Sequence, residues 1–380
     1  MSVVVPQSPE TPRDRGTAAT GTASRTAATG AASRGTATNS TAPSNTAPRH
    51  AGAFATPRAR RRYWLLLIGI ALLGVAFTAL YFVWNIPVTV GSEGFWIITR
   101  MRAEAVFSIL LVAFCQSLAT LAFQTVTTNR ILTPSIMGFE SLYSVIHTST
   151  IFFFGVAGFV AFTGVRAFLI QVAIMVACAL ALYGWLLRGK LGSLHIMLLI
   201  GIIIGTGLGS LSAFMQRMLT PSEFDVLSAR MFGTIANARS DVFVAALPLA
   251  LGAGLALLLI SRSLNAIALG RDVAVSLGVN HLRMLLISLT LIAVLVSVST
   301  ALVGPMTFFG FLVATLTYQA ADTYDHRFLF PMAAVIGYAV LMGGFFVMKN
   351  IFSAEGVVSI IIELVGGLTF LVVVLRKGRL

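Results

Sequence analysis

The run Tyr63-Trp-Leu-Leu-Leu-Ile-Gly-Ile-Ala-Leu-Leu-Gly-Val-Ala-Phe-Thr-Ala-Leu-Tyr-Phe-Val-Trp84 decides how the rest of the chain is read. It carries no charge, and it is as long as the ~20 apolar residues an α-helix needs to cross a bilayer. Arg58, Arg60, Arg61 and Arg62 stand directly before it, the kind of flank that stays in the cytoplasm. Working outward, comparable runs recur at about 103–125, 135–155, 166–187, 194–216, 241–261, 283–303, 306–319, 328–348 and 356–375. The pattern predicts an all-α integral membrane protein with about ten spans. The eighth run is short, and Gly304-Pro305 separates it from its predecessor, which predicts a broken or re-entrant helix.

Composition and charge agree with this reading. Of 380 residues, 57% are hydrophobic and 10% charged, against roughly 25% charged in a soluble domain. A net charge of +13 would suggest nucleic acid in a soluble protein, but here the cations cluster at span ends. With the N-terminus inside, fourteen Lys and Arg fall at cytoplasmic ends and seven at outer ends. The inner set includes Arg130, Arg188, Lys190, Arg262, Arg271, Arg283, Arg327, Arg376, Lys377 and Arg379. This bias predicts a multi-pass protein of the cell membrane with both termini cytoplasmic. Residues 17–48 are almost wholly Ala, Thr, Ser, Gly, Pro, Asn and Arg, too poor in bulky apolar groups to offset the entropy of ordering. Residues 1–57, which lack the apolar core of a signal peptide, are therefore expected to form a disordered cytoplasmic tail. Residues 58–380 are expected to form the transmembrane domain.

Several patterns bear on chemistry. Gly184-Trp-Leu-Leu-Arg-Gly-Lys190 approaches a phosphate-binding loop, but Leu191 replaces the hydroxyl residue and the run closes an apolar helix. Any ATP hydrolysis is therefore expected on another chain, and no cofactor is expected on this one. Cys115 and Cys178 both lie in apolar runs and form no metal-ligand pattern; no metal site is expected. Gly201, Gly205 and Gly209 repeat at four-residue spacing, which puts them on one helix face for close packing in lipid. Gln116, Gln124, Asn129, Glu140 and Gln171 are polar groups in or beside spans, candidates to line a translocation path. Residues 264–279 lie between spans six and seven. Leu264, Ile267, Ala268, Leu269, Val273, Ala274 and Leu277 there give a short amphipathic surface, bounded by Gly270 and Gly278, that suits docking to a cytoplasmic partner. On the long outer connection, Arg217, Arg230 and Arg239 offer cations to a docking protein.

Three segments resemble a known family: Ala268-Leu-Gly-Arg-Asp-Val-Ala-Val-Ser-Leu-Gly-Val279, Ala301-Leu-Val-Gly-Pro-Met-Thr-Phe-Phe-Gly-Phe-Leu-Val-Ala314 and Asp325-His-Arg-Phe-Leu-Phe-Pro331. They look like the FecCD family, permeases of ABC importers for iron chelates, haem and cobalamin. Arg130-Ile-Leu-Thr-Pro-Ser-Ile-Met-Gly-Phe-Glu-Ser-Leu-Tyr143 and Pro221-Ser-Glu-Phe-Asp-Val-Leu227 look like its iron-siderophore branch. The resemblance runs over about residues 60–380 and leaves out the tail. It implies ten helices per subunit, a second related permease subunit, two ATP-binding subunits beneath and an extracytoplasmic siderophore-binding protein. A heterodimer of permeases is implied over a homodimer. The segment 264–279 would be the coupling helix, with Leu269, Gly270, Arg271, Ala274, Leu277 and Gly278 as its contacts.

Two rivals remain at this point. A secondary transporter working alone would carry substrate under an ion gradient, although intramembrane carboxylates are sparse. A membrane enzyme would need a catalytic cluster, for which Asp322, Asp325 and His326 are the nearest approach.

Overall fold

The computed structural model describes residues 52–84, 89, 91–188, 194–231, 240–350 and 358–377. The helices in chain order are α1 (Pro57–Val83), α2 (Glu93–Val126), α3 (Phe139–Ala161), α4 (Gly164–Arg188), α5 (Leu194–Arg217), α6 (Pro221–Met231), α7 (Phe243–Leu259), α8 (Ser261–Ile267), α9 (Arg271–Ser276), α10 (His281–Val303), α11 (Phe309–Ala321), α12 (His326–Asn350) and α13 (Val358–Lys377). Among the described residues, eight helices are long and apolar enough to span a bilayer: α1 to α5, α7, α10 and α12. Shorter apolar stretches in α11 and α13 complete the ten expected runs. The eighth run is indeed short. Gly304 ends α10 with φ of 96°, a backbone that favours glycine.

Local chemistry starts the helices where they start. Thr56 accepts from the Ala59 N–H at 3.1 Å, with Pro57 in the first turn of α1; Pro lacks the N–H that would be left unpaired there. Ser92 and Asn280 cap α2 and α10 in the same way. Arg102 closes the other end of α1, its guanidinium donating to the carbonyls of Tyr81 (2.5 Å), Phe82 (3.2 Å) and Trp84 (3.0 Å). A cation there meets the negative end of the helix dipole.

Residues just ahead of α1 also contact the helical bundle. Residues 52–56 are pinned to α12 and the turn before it: Thr323 Oγ1 donates to Ala53 O at 2.5 Å, and the Phe54 ring packs edge-on to Phe328. Residues 1–51 lie outside the described residues. The expected third span also begins late, because Pro134–Met137 form a 3-10 turn, and it breaks at Gly155.

The core centres on α2, whose residues from Ala105 to Val126 are nearly all buried against α7, α10, α11 and α12. α1 packs on α12, and Leu65, Ile68 and Leu72 on its other face remain exposed. A second contact joins α3 to α5. A Cβ on Gly205 would meet Gly138 Cα at 2.8 Å; Gly201 faces Met137 and Gly209 faces Ser141. The three glycines thus lie against the α3 segment and let two backbones nearly touch, which strengthens dispersion contact where lipid supplies no hydrophobic drive. Further along, Ser144 and Thr148 bond Ser212 at 2.7 and 2.9 Å, and Gln216 Nε2 donates to Thr148 at 3.1 Å.

Candidate functional site

The proximal end of the bundle, where α1 begins, carries the segment expected to dock a partner. The structure divides it into α8 and α9, separated at Gly270, whose φ is 96°. The single amphipathic surface expected over 264–279 is therefore corrected. Leu264, Ala266, Ile267 and Ala274 turn inward and are buried, whereas Leu269 (63% exposed), Val273, Val275 and Leu277 (62% exposed) face out. Leu264, Ile267 and Ala274 anchor the segment, while the outward apolar groups stand uncovered in this chain. Arg271 is exposed beside them, and Gly278 (φ 79°) makes the turn into α10.

Beneath α8 lies a hydrogen-bonded brace. Asn265 Nδ2 donates to Asp325 Oδ1 at 2.9 Å, and the His326 backbone N–H donates to Asn265 Oδ1 at 3.1 Å. His326 Nδ1 lies 2.5 Å from the same amide oxygen, and Nε2 lies 2.6 Å from Thr125 Oγ1 on α2. An amide oxygen cannot donate, so Nδ1 bears the hydrogen and, in the neutral ring, Nε2 accepts from Thr125. One buried imidazole thereby ties α8, α12 and α2 together. Arg130 lies over the Tyr318 and Tyr324 rings at 4.5 and 5.6 Å. A cavity of about 740 Å³ opens among Arg130, Tyr318, Tyr324, Asn265, Leu269 and His326. Asp325 and His326 are therefore bonded into the fold. Among the described residues no three His, Cys, Asp or Glu come together to hold a metal ion.

The five polar residues expected along one path are not brought together. Gln116 and Gln124 are buried on α2; Gln124 borders the proximal cavity, and its Nε2 donates to Arg130 O at 2.8 Å. Asn129 is exposed in the following turn, accepting from the Ile131 N–H. Glu140 Oε2 accepts from Thr307 Oγ1 at 2.6 Å, and the Thr307 N–H donates to Glu363 at 3.3 Å. Gln171 lines a separate cavity at the distal end. Gly184 lies inside α4, and Lys190 lies outside the described residues.

At that distal end the expected loop contains helix α6, which sequence reasoning missed. Its signal is Thr220-Pro-Ser-Glu223, a capping box. The Thr220 N–H and hydroxyl donate to Glu223 Oε2, both at 2.9 Å, and the Glu223 N–H returns to Thr220 Oγ1 at 3.4 Å. Those donors hold the Glu223 carboxyl below its ordinary pKa. Arg217 ends α5 and is exposed; Arg230, in the last turn of α6, lines the distal cavity. Arg239 lies outside the described residues.

Comparison with known proteins places this architecture. Residues 59–376 match the FecCD transport family. The chain is 49% identical over 332 residues to the petrobactin import system permease protein FatC of Bacillus anthracis, covering 87% of this chain and 94% of the relative. It is 35% identical over 314 residues to the petrobactin import system permease protein YclO of Bacillus subtilis, covering 83% and 97%. A solved structure described as a metal-chelate type ABC transporter in an inward-facing conformation superposes with a TM-score of 0.70 at 21% identity, covering 83% of this chain and 99% of that one. With a family match that omits only the tail and the last few residues, and a relative 49% identical over most of its length, this multi-pass membrane protein belongs to the FecCD transport family.

Proposed function

We propose that the chain is a membrane-spanning permease subunit of an ATP-driven importer of iron(III)–siderophore complexes. Petrobactin is the first siderophore to test, since FatC and YclO are named for it. The observation that carries the mechanism is the split segment α8–α9, with outward apolar side chains on one face and anchors to α12 and α2 behind. Closure of partner ATPases against Leu269, Arg271 and Leu277 would push α8. Gly270 and Gly278 permit the turns, and Ala274 seats the segment. The His326 brace passes that displacement to the core helices. Transport requires contacts that differ between the outward-open and inward-open states.

Around this core stand the remaining parts of the reading. The proximal end is cytoplasmic, supported by its excess of Lys and Arg, so both termini lie inside and residues 1–57 are a tail that meets the permease domain through its last few residues. ATP is used by partner subunits, and this chain holds no cofactor or metal of its own. A second, related permease completes the path, in a heterodimer; Glu140, with Thr307, is the polar group of this chain proposed to face it. Gln116, Gln124 and Asn129 contribute through the core and the proximal turn, and Gln171 through the distal cavity. Arg217, Arg230 and Arg239 offer cations to the extracytoplasmic binding protein.

Gly270→Leu tests the coupling. The space around Gly270 is open, so the change acts through the backbone: a φ of 96° costs an L-residue about 1–2 kcal/mol. With ATPases and a second permease in proteoliposomes, the variant should still insert and assemble but lose most ferric-siderophore uptake while hydrolysis continues. Unchanged uptake would sink the coupling assignment. Transport by the purified chain alone under an ion gradient would instead establish the secondary-transporter reading.

A further inference from the structure

The distal cavity is built for something the coupling machinery does not use. About 270 Å³ is enclosed by the end of α3, the start of α4, α6 and the end of α10. Tyr143 and His147 come from α3, Gln171 from α4 and Arg230 from α6. His147 is 2% exposed and Gln171 3%. Neither ring nitrogen of His147 nor Gln171 Nε2 completes a hydrogen bond of good geometry, although the Gln171 amide lies beside the imidazole. Leaving a buried donor unpaired costs about 1–3 kcal/mol, so two such side chains facing one void are expensive unless something fills it. The wall is rich in donors: a guanidinium, an amide NH2, an imidazole N–H and a phenol. Arg230 faces both Tyr143 and His147. The nearby carboxylate, Asp241 beside Gly164, has interactions of its own.

We propose that this cavity binds a small carboxylate. Arg230 closes over the anion at the mouth, where it is exposed to solvent. Gln171 and His147 donate to its oxygens from the floor, and Tyr143 supplies a hydroxyl. The volume lies at the lower edge of the ~300–1,000 Å³ typical of pockets for drug-sized ligands. It therefore suits one carboxylate on a short stem and excludes a whole metal chelate. Two sources share this chemistry: a free organic acid outside the cell, or a carboxylate arm of the transported chelate. Only the side of the membrane to which the cavity opens rests on the function proposed above; the binding does not.

The probe is malonate, titrated into the purified full-length chain in detergent and followed as thermal stabilisation, with chloride at matched ionic strength as reference. The expected result is a saturable stabilisation by malonate beyond that of chloride. Arg230→Gln and Gln171→Leu should each weaken it about tenfold or more, since each removes a bond to a charged group. Tyr143→Phe should weaken it less. Arg217→Gln, outside the cavity, should leave it as it is, which separates the site from general attraction of anions to the distal face. Stabilisation no greater than chloride's, or equal in Gln171→Leu and the unmodified chain, would overturn the proposal and leave the void to water. In the reconstituted importer, malonate that slows siderophore uptake by the unmodified chain but not by Gln171→Leu identifies the chelate as the source. Saturable binding with unaltered uptake identifies a free organic acid. An importer that fails to transport, with malonate still bound by the chain, would count against the proposed function and not against the site.

Discussion

His326 at the proximal end and His147 at the distal end are each 2% exposed, yet they are treated oppositely. His326 has both ring nitrogens bonded, to Asn265 and Thr125; His147 has neither. Burial alone therefore does not say what a histidine does. A fully bonded imidazole is a brace whose value lies in the elements it ties together. An unbonded one beside a cavity has its hydrogen-bonding capacity in reserve. The contrast matches the two roles proposed above, coupling at the proximal end and carboxylate binding at the distal end.

The sharpest way to break this comparison is His326→Leu. It removes both imidazole bonds and leaves Asn265 Oδ1 only the backbone N–H of residue 326 and the Thr125 hydroxyl only Leu121 O, which should cost about 1–3 kcal/mol. A marked fall in the thermal midpoint in detergent should accompany weaker coupling of ATP hydrolysis to uptake. If His326→Leu is no more harmful than His147→Leu, the brace is not one.

A smaller effect is expected at the capping box of α6. Thr220→Ala should destabilise the helix by about 1 kcal/mol, read as faster amide exchange over residues 221–231. Because its donors lower the folded-state pKa of Glu223, the carboxylate's contribution is fully present above the ordinary value near 4.3. It is lost as pH falls through the depressed folded value. Amide exchange in α6 that is indifferent to acidification to about pH 3 would show that the box carries no weight.

The smallest shift should come from His147→Leu. Removing an unpartnered imidazole deletes a desolvation cost along with a side chain, so stability should stay within about 1 kcal/mol of the unmodified chain or rise. A large loss would mean that a tightly held water or partner completes the ring's bonds, and would move His147 into the same class as His326.

Much of the architecture was legible before any coordinates, for a local reason. A span is announced by its own apolar run, so Tyr63–Trp84 and nine others could be counted singly. Gly201, Gly205 and Gly209 sit on one face because of helical period alone. The capping box Thr220-Pro-Ser-Glu223 was equally local, and α6 could have been read from it. What could not be read was which polar groups meet. Gln116, Gln124 and Gln171 look alike in sequence, but Gln116 is packed inside the core, Gln124 borders the proximal cavity and Gln171 the distal one. Likewise Leu264 and Leu269 belong to one apolar pattern, and only the turn at Gly270 sends the first inward and the second out.

The sequence by itself determined that this chain crosses a membrane some ten times, which end carries the excess of positive charge, and which connection is suited to a partner. Those properties are sums over neighbouring residues. The tertiary structure alone decided that His326 would join Asn265 to Thr125, and that Arg230 would line one cavity with Tyr143, His147 and Gln171. Those are meetings between residues far apart in the chain. A hydrogen bond depends on tenths of an ångström and on angle, which no local pattern specifies.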